Sequence, residues 1–232
     1  MVKKIFLLGF LIFFSSLGLL HAESIQVGII NPIQLFPEDS SVDIFRLDII
    51  YGVNNNVSGL DLGAINSTKG DFTGLGLGIV NDVNENMSGW QIGAASLVGA
   101  DAQGIQNGFF VATQGSFVGW QGAGVDFTGG NFTGFQSGFI NVIGGQSNNY
   151  FQLGAYNGMN KGDGGLQLGI FNNDSGSVSN TYQIGIINYA AQIQGFQLGL
   201  VNVTESLNGL EIGLINCNTK QEDFYPFVRW NY

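Results

Sequence analysis

On the faces opposite the apolar ones, the alternating segments of this chain carry few charged residues: Arg46, Asp48, Asp61, Glu211 and Arg229. Their carboxylates are the groups best placed for proton-transfer chemistry. A glycosidase-type pair needs two carboxyl groups about 5–9.5 Å apart, yet Asp48, Asp61 and Glu211 are too scattered along the sequence to be read as one. The chain has a single His, His21, and a single Cys, Cys217. If His21 departs with a leader, no Ser-His-Asp site, Cys-His pair or ordinary zinc site can be assembled. The catalytic, cofactor-binding and metal-ligating sets are therefore all read as none, and an enzyme is not expected.

The segments that hold these charges form an array. Eleven variants of Gly-apolar-Gln-apolar-Gly-apolar-apolar-Asn run between Gly59 and Asn216 at a spacing of 14 to 16 residues. Such regularity means one supersecondary unit copied along the chain. With the first Gly as position zero, the units begin at Gly59, Gly74, Gly89, Gly104, Gly119, Gly134, Tyr150, Gly165, Thr181, Gly195 and Gly209. Position two is Gln in most of them, from Gln91 to Gln197, with Asp61, Gly76 and Glu211 as the departures. Position seven is mostly Asn.

The period-two alternation within each unit predicts strands with unlike faces. Positions one, three and five make one face, as in Leu75, Leu77 and Ile79, with no charged residue and with Asn107 and Ser137 as its polar members. That face is expected to sit in hydrocarbon, either lipid or protein core. The other face carries Gly, Gln and Gly, with apolar residues beyond them. Read outward from the Gln, the pattern is nearly palindromic, which would suit an antiparallel meander of like strands. Asn at position seven would then close each hairpin. Strands of about 9–10 residues also match the length needed to cross a bilayer at a tilt.

Residues outside the array extend it. Ser24 to Asn31 (SIQVGIIN) is a further copy with Gln26 at the Gln position. Phe45 to Gly52 alternates as a second strand, and 224–232 as a last one. Three added to eleven gives an even number, about 14, as in bacterial single-chain barrels. The prolines Pro32, Pro37 and Pro226 all lie outside the repeats, so none removes a ladder donor from a repeat strand.

The first 22 residues read as a signal peptide: Lys3 and Lys4, an apolar run from Ile5 to Leu20, then a small residue, Ala22. The domain organisation is thus a leader, 1–22, and a single repetitive β domain, 23–232. Cys217 is far from that cleavage point and has no partner Cys, so neither lipid attachment nor an internal disulfide is expected. The formal charge is −10, with 37 Gly, 44% hydrophobic and 10% charged residues. Loss of Lys3 and Lys4 makes the exported chain more acidic still, which argues against nucleic acid and against a basic membrane-binding face.

The repeats GLDLGAIN, GLQLGIFN, GFQLGLVN and GLEIGLIN, with the lead-in FRLDIIYGVNNNVSG, resemble those of a family of bacterial surface-repeat proteins. The resemblance implies a Gram-negative envelope or cell-surface address and no activity, ligand or catalytic residue. The ending PFVRWNY, with an aromatic at Tyr232, resembles the C-terminal strand by which outer-membrane barrels are inserted.

Two architectures follow. The favoured expectation is an all-β antiparallel meander closed into a transmembrane β-barrel of about 14 strands, an outer-membrane structural protein or narrow conduit. Its partners would be outer-membrane lipid and the barrel-insertion machinery, with Arg46, Asp48, Asp61, Glu211 and Arg229 pairing inside the lumen. The alternative is a secreted or surface-attached parallel β-solenoid with 15-residue coils, Gln and Asn ladders and Leu rows as its core, acting in adhesion or binding. A barrel paired symmetrically about each Gln would have zero shear, so its register must slip. Local register is expected to be disturbed at Gly122 and Gly124, and where Tyr150 and Thr181 replace the first Gly. Asn66-Ser67-Thr68 reads as a turn. Calcium at loop acids such as those of Asp82 to Asn86 is less expected than plain solvation. Neither a small-molecule ligand nor an oligomeric state is specified.

Overall fold

The computed structural model describes residues 22–176 and 180–231. Nearly all of the expected leader, including His21, lies outside them, as does Tyr232. About 80% of the chain is strand, and it coils as a parallel β-solenoid of about 12 turns. The barrel expectation is overturned.

The strands are β1 (Glu23–Ile30), β2 (Ile33–Gln34), β3 (Val42–Asn54), β4 (Val57–Thr68), β5 (Phe72–Leu77), β6 (Val80–Val83), β7 (Met87–Ile92) and β8 (Ala95–Val98). They continue with β9 (Ala102–Asn107), β10 (Phe110–Thr113), β11 (Phe117–Thr128), β12 (Phe132–Asp174), β13 (Thr181–Leu198), β14 (Val201–Asn218) and β15 (Asp223–Asn231). Each repeat is one turn with two strand segments. Strands β5, β7, β9 and the first half of β11 stack in parallel, with Phe72, Met87, Ala102 and Phe117 in one column. Strands β6, β8, β10 and the second half of β11 stack likewise.

Two features that had suggested a meander have another physical cause. The palindrome about Gln is satisfied equally well by in-register parallel stacking, which also places Gln over Gln. The expected 9–10-residue strand is broken by a bend at positions four and five, as at Gly78 and Ile79 between β5 and β6. The chain therefore turns a corner inside the unit. Asn66-Ser67-Thr68 accordingly lies within β4 and not in a turn.

The corner also inverts the expected faces. It shifts the two-residue alternation by one, so that positions two, seven and nine of a turn point inward together, along with the residue two before the first Gly. The Gln and Asn rows are interior. The rows at positions one, three and five, expected as the solenoid's core, lie on its outer surface. What apolar core exists comes from the residue two before each Gly and from position nine: Val57, Phe72, Met87, Ala102, Phe117 and Phe132 beside Val83, Val98 and Ile143. Phe117 and Phe132 stack at 5.8 Å between centroids.

Antiparallel pairing occurs at the two ends. At the start, β2 folds back on β1 while Leu35 N donates to Val27 O and Phe36 N to Gln26 Oε1. This covers the first turn. At the other end β15 runs antiparallel along β14. Pro226 sits in this terminal strand, where a missing ladder donor is tolerated. Ser24 to Asn31 is a repeat copy as expected, with Gln26 beside Arg46 in the next turn. The register holds at the departures: Gly122 and Gly124 sit in a continuous β11 stacked on β12, and Gly165 aligns with Thr181.

Candidate functional site

The interior is a pair of side-chain amide columns. Gln121 Nε2 donates to Gln106 Oε1 at 3.0 Å, Gln136 Nε2 to Gln121 Oε1 at 2.8 Å, and the same bond continues through Gln152, Gln167, Gln183 and Gln197. Thr113 and Thr128 add hydroxyl donors to Gln106 and Gln121. In the second column Asn157 Nδ2 donates to Asn172 Oδ1 at 2.8 Å, and the run extends from Asn141 to Asn216. Each Asn from Asn141 to Asn202 also donates to a backbone carbonyl at the next turn's corner, as Asn157 does to Leu168 O, and Asn216 to Tyr225 O of the terminal strand. Position seven therefore pins the bend instead of closing a hairpin. The two columns point in opposite directions, since Gln donates to the preceding turn and Asn to the following one.

Buried amides stay in a core only when satisfied. A Gln or Asn carries both a donor and an acceptor, so an in-register stack satisfies every member except those at the ends. After Gln197 the row passes to an ion pair at Glu211, and before Gln91 it is interrupted at Gly76, beyond which a second ion pair occupies the same row. Arg46 grips Asp61 through Nε and Nη2, both at 2.7 Å, with Asp48 Oδ2 at 3.8 Å from Nε. Arg229 Nη1 meets Glu211 Oε2 at 3.1 Å and Thr204 Oγ1 at 2.9 Å. The five charges expected to pair with one another do so, inside a packed solenoid and not a lumen. Burial raises the carboxyl of Asp48 above its ordinary range against the pull of Arg46. Burial likewise raises Glu211, opposed by Thr204 and Arg229.

Chemically this interior is closed. Asp48 and Asp61 share one guanidinium with no solvent path, and Glu211 lies ten turns away, about 48 Å at roughly 4.8 Å per turn. Among the described residues, no group of three or more His, Cys, Asp or Glu is placed to hold a metal. The loop acids instead tie down backbone, with Asp71 Oδ1 accepting from Asn86 N and Asp101 Oδ1 from Ser116 N, one turn on.

Two of the interior positions that depart from the pattern carry buried ionisable groups. Asp126 stands in the Asn column, aligned with Asn141, and burial pushes its carboxyl up to about 7. Tyr150 turns inward and fills the space over Gly165, with its hydroxyl 3.0 Å from Thr181 Oγ1. Burial raises that phenol.

The outer surface is where a partner can be met. Rows one, three, five and six wrap the corner of every turn with Ile, Leu, Phe and Trp: Ile79, Trp90, Phe109, Phe139, Ile170 and Leu200 are all exposed. Single exposed apolar residues are ordinary, but a contiguous apolar strip of this length marks an interaction surface. The other bend of each turn carries the hydrogen-bonded Asp, Asn and Ser residues described above. The sequence marks positions one, three and five as an apolar face but not the direction in which that face points. The signal for it was the Gly at position four, which permits the corner. Comparison with known proteins gives no match, whether to a family model, a curated protein or a solved structure.

Proposed function

We propose that this chain is an exported surface or secreted binding module that works by association through the apolar strip on its outer face, as an adhesion-type β-solenoid. The observation that carries the reading is the inversion of faces: the Gln and Asn amides are buried and bonded along their columns while Leu, Ile, Phe and Trp rows face outward over the whole array. A rod held together by in-register amide columns does not need those rows for its core, so they are free to meet a partner. The leader-like first 22 residues and the likeness of the repeats to bacterial surface-repeat proteins support an address outside the cytoplasm.

The test is retention on an alkyl-coated surface of the purified chain and of an Ile79→Ser/Phe109→Ser/Phe139→Ser variant, both checked for β-sheet content. The reading expects strong retention of the first and at least tenfold weaker retention of the second, since each exposed side chain contributes about 1.5–3 kcal/mol when covered. Equal retention of the two would contradict it.

A further inference from the structure

Position five of each turn projects at the corner and forms the crest of the apolar strip. From Ala64 to Ile170 this row reads Ala64, Ile79, Ala94, Phe109, Gly124, Phe139, Ala155 and Ile170, and beyond it runs through Ile186, Leu200 and Leu214 with no small member. Large and small residues alternate strictly over eight turns. Backbone bonds place these residues one above another, with Ile79 N donating to Ala64 O and Phe109 N to Ala94 O. The register of β11 on β12 carries the row on to Phe139. The large members stand well out of the surface: Ile79 is 62% exposed, Phe109 76%, Phe139 68% and Ile170 55%. The small ones leave depressions, such as that at Ala155 between Leu153, Leu168 and Ile170. The crest is therefore a row of knobs about 9.6 Å apart, twice the inter-strand spacing, with a hole between each pair.

The order of the knobs, Ile-Phe-Phe-Ile, reads the same in both directions. A second copy laid antiparallel across the crest, about a two-fold axis between Phe109 and Gly124, seats every knob of these eight turns in a hole. Phe109 faces Gly124, Phe139 faces Ala94, Ile79 faces Ala155 and Ile170 faces Ala64. The largest side chains thus meet the smallest. Such a contact is isologous and closes on itself, whereas parallel copies at equal height would set knob against knob. A lipid surface has no use for this alternation. We infer that the occupant of the apolar crest is a second copy of this chain, packed antiparallel over the eight turns from Ala64 to Ile170.

The dimensions allow it. Eight turns cover about 38 Å of the rod and four residues around the corner about 13 Å, so each copy buries on the order of 500 Å² and the pair about 1,000 Å². That reaches the lower size limit of specific interfaces. It also leaves the acidic loop edges of the two copies on the far sides, away from each other. The inference rests on the reading of the strip as a binding face and makes that binding homotypic.

The experiment is equilibrium sedimentation of the purified chain across a concentration series, with Ala94→Phe, Phe139→Ala and the double variant Ala94→Phe/Phe139→Ala. Filling the hole is expected to weaken dimerisation about tenfold or more, as overpacking does, and removing the knob to weaken it too. The double variant exchanges knob and hole at the facing turns, so it should return to within about threefold of the unmodified chain. A monomeric unmodified chain, or a double variant no tighter than Ala94→Phe alone, overturns the inference. Retention of a monomeric chain on the alkyl surface would then leave the binding-face reading standing, and loss of that retention would remove both.

Discussion

Asp126 and Asn141 are consecutive steps of the asparagine column, and the Oδ1 atom of each is buried without a hydrogen-bond donor. From Asn157 to Asn216 the preceding Asn supplies that donor through Nδ2, as Asn141 does for Asn157. Asp126, when ionised, has none to give, and its one contact is from Ala123 N to Oδ2 at 3.3 Å.

Asp126→Asn should therefore stabilise the fold at neutral pH by about 1–3 kcal/mol, by restoring one buried bond. The pH dependence gives a second readout. The carboxyl is raised to about 7 in the folded chain against 3.8 ordinarily, so folding takes up a proton here. Its stability contribution is full below pH 4 and lost as pH rises through 7. Denaturant melts at pH 4.5 and 7.5 should show a larger drop for the unmodified chain than for Asp126→Asn. Some drop should remain, because Asp48 and Glu211 are raised in the same direction.

Gln121 accepts from Gln136 and Thr128 while donating to Gln106. Gln121→Ala leaves two donors and one shared acceptor short of a partner in a dry interior and opens a cavity beside them. A loss of about 3 kcal/mol is expected in urea melts. Gln121→Glu should be worse at pH 7 than at pH 4, since an ionised carboxylate cannot donate to Gln106.

Arg46 and Asp61 form a bidentate pair with both side chains buried, in the same row as the glutamine column but one turn short of it, with Gly76 between. Arg46→Gln alone should cost about 3–5 kcal/mol by stranding Asp61. Arg46→Gln/Asp61→Gln should recover most of this, because β3 and β4 are paired in parallel register. The two introduced amides would then bond to each other as neighbouring Gln residues do in the column, with Gly76 on the far side of the second. A double-mutant cycle measures the coupling.

Gly119 has a φ of 136°, and a Cβ there would strike the carbonyl oxygen of Gly104 in the turn below. Gly119→Ala should destabilise by at least about 2 kcal/mol. The same change at Gly122, whose backbone has ordinary φ, should cost less. Thermal melts of the two variants compare them directly.

Much of this architecture was legible in the sequence and some was not, for identifiable reasons. The 15-residue period, the copy at Gln26 and the pairing of Arg46 and Arg229 with carboxylates all follow from residue type and spacing. The direction of strand pairing does not, because a Gln-centred palindrome stacks equally well both ways. The inward turn of Gln and outward turn of Leu are hidden too. They depend on whether the chain bends at Gly78 and its equivalents, and a Gly inside a strand pattern signals a bend only once the fold is known. Asp126 stands out in the sequence as the acid in an Asn row, but its burial follows only from the parallel register.

The most direct test of the central claim is which residue lies beside Ser88. In the parallel solenoid its neighbour one turn on is Gln103, with Gln103 Nε2 at 2.9 Å from Ser88 Oγ. In an antiparallel meander centred on Gln it would instead be Phe109. With Cys217→Ser as background, a Ser88→Cys/Gln103→Cys chain should form an intramolecular disulfide readily under mild oxidation, and Ser88→Cys/Phe109→Cys should not. Ready cross-linking of the second pair, with the first pair unreactive, would contradict the solenoid and everything built on its exposed crest.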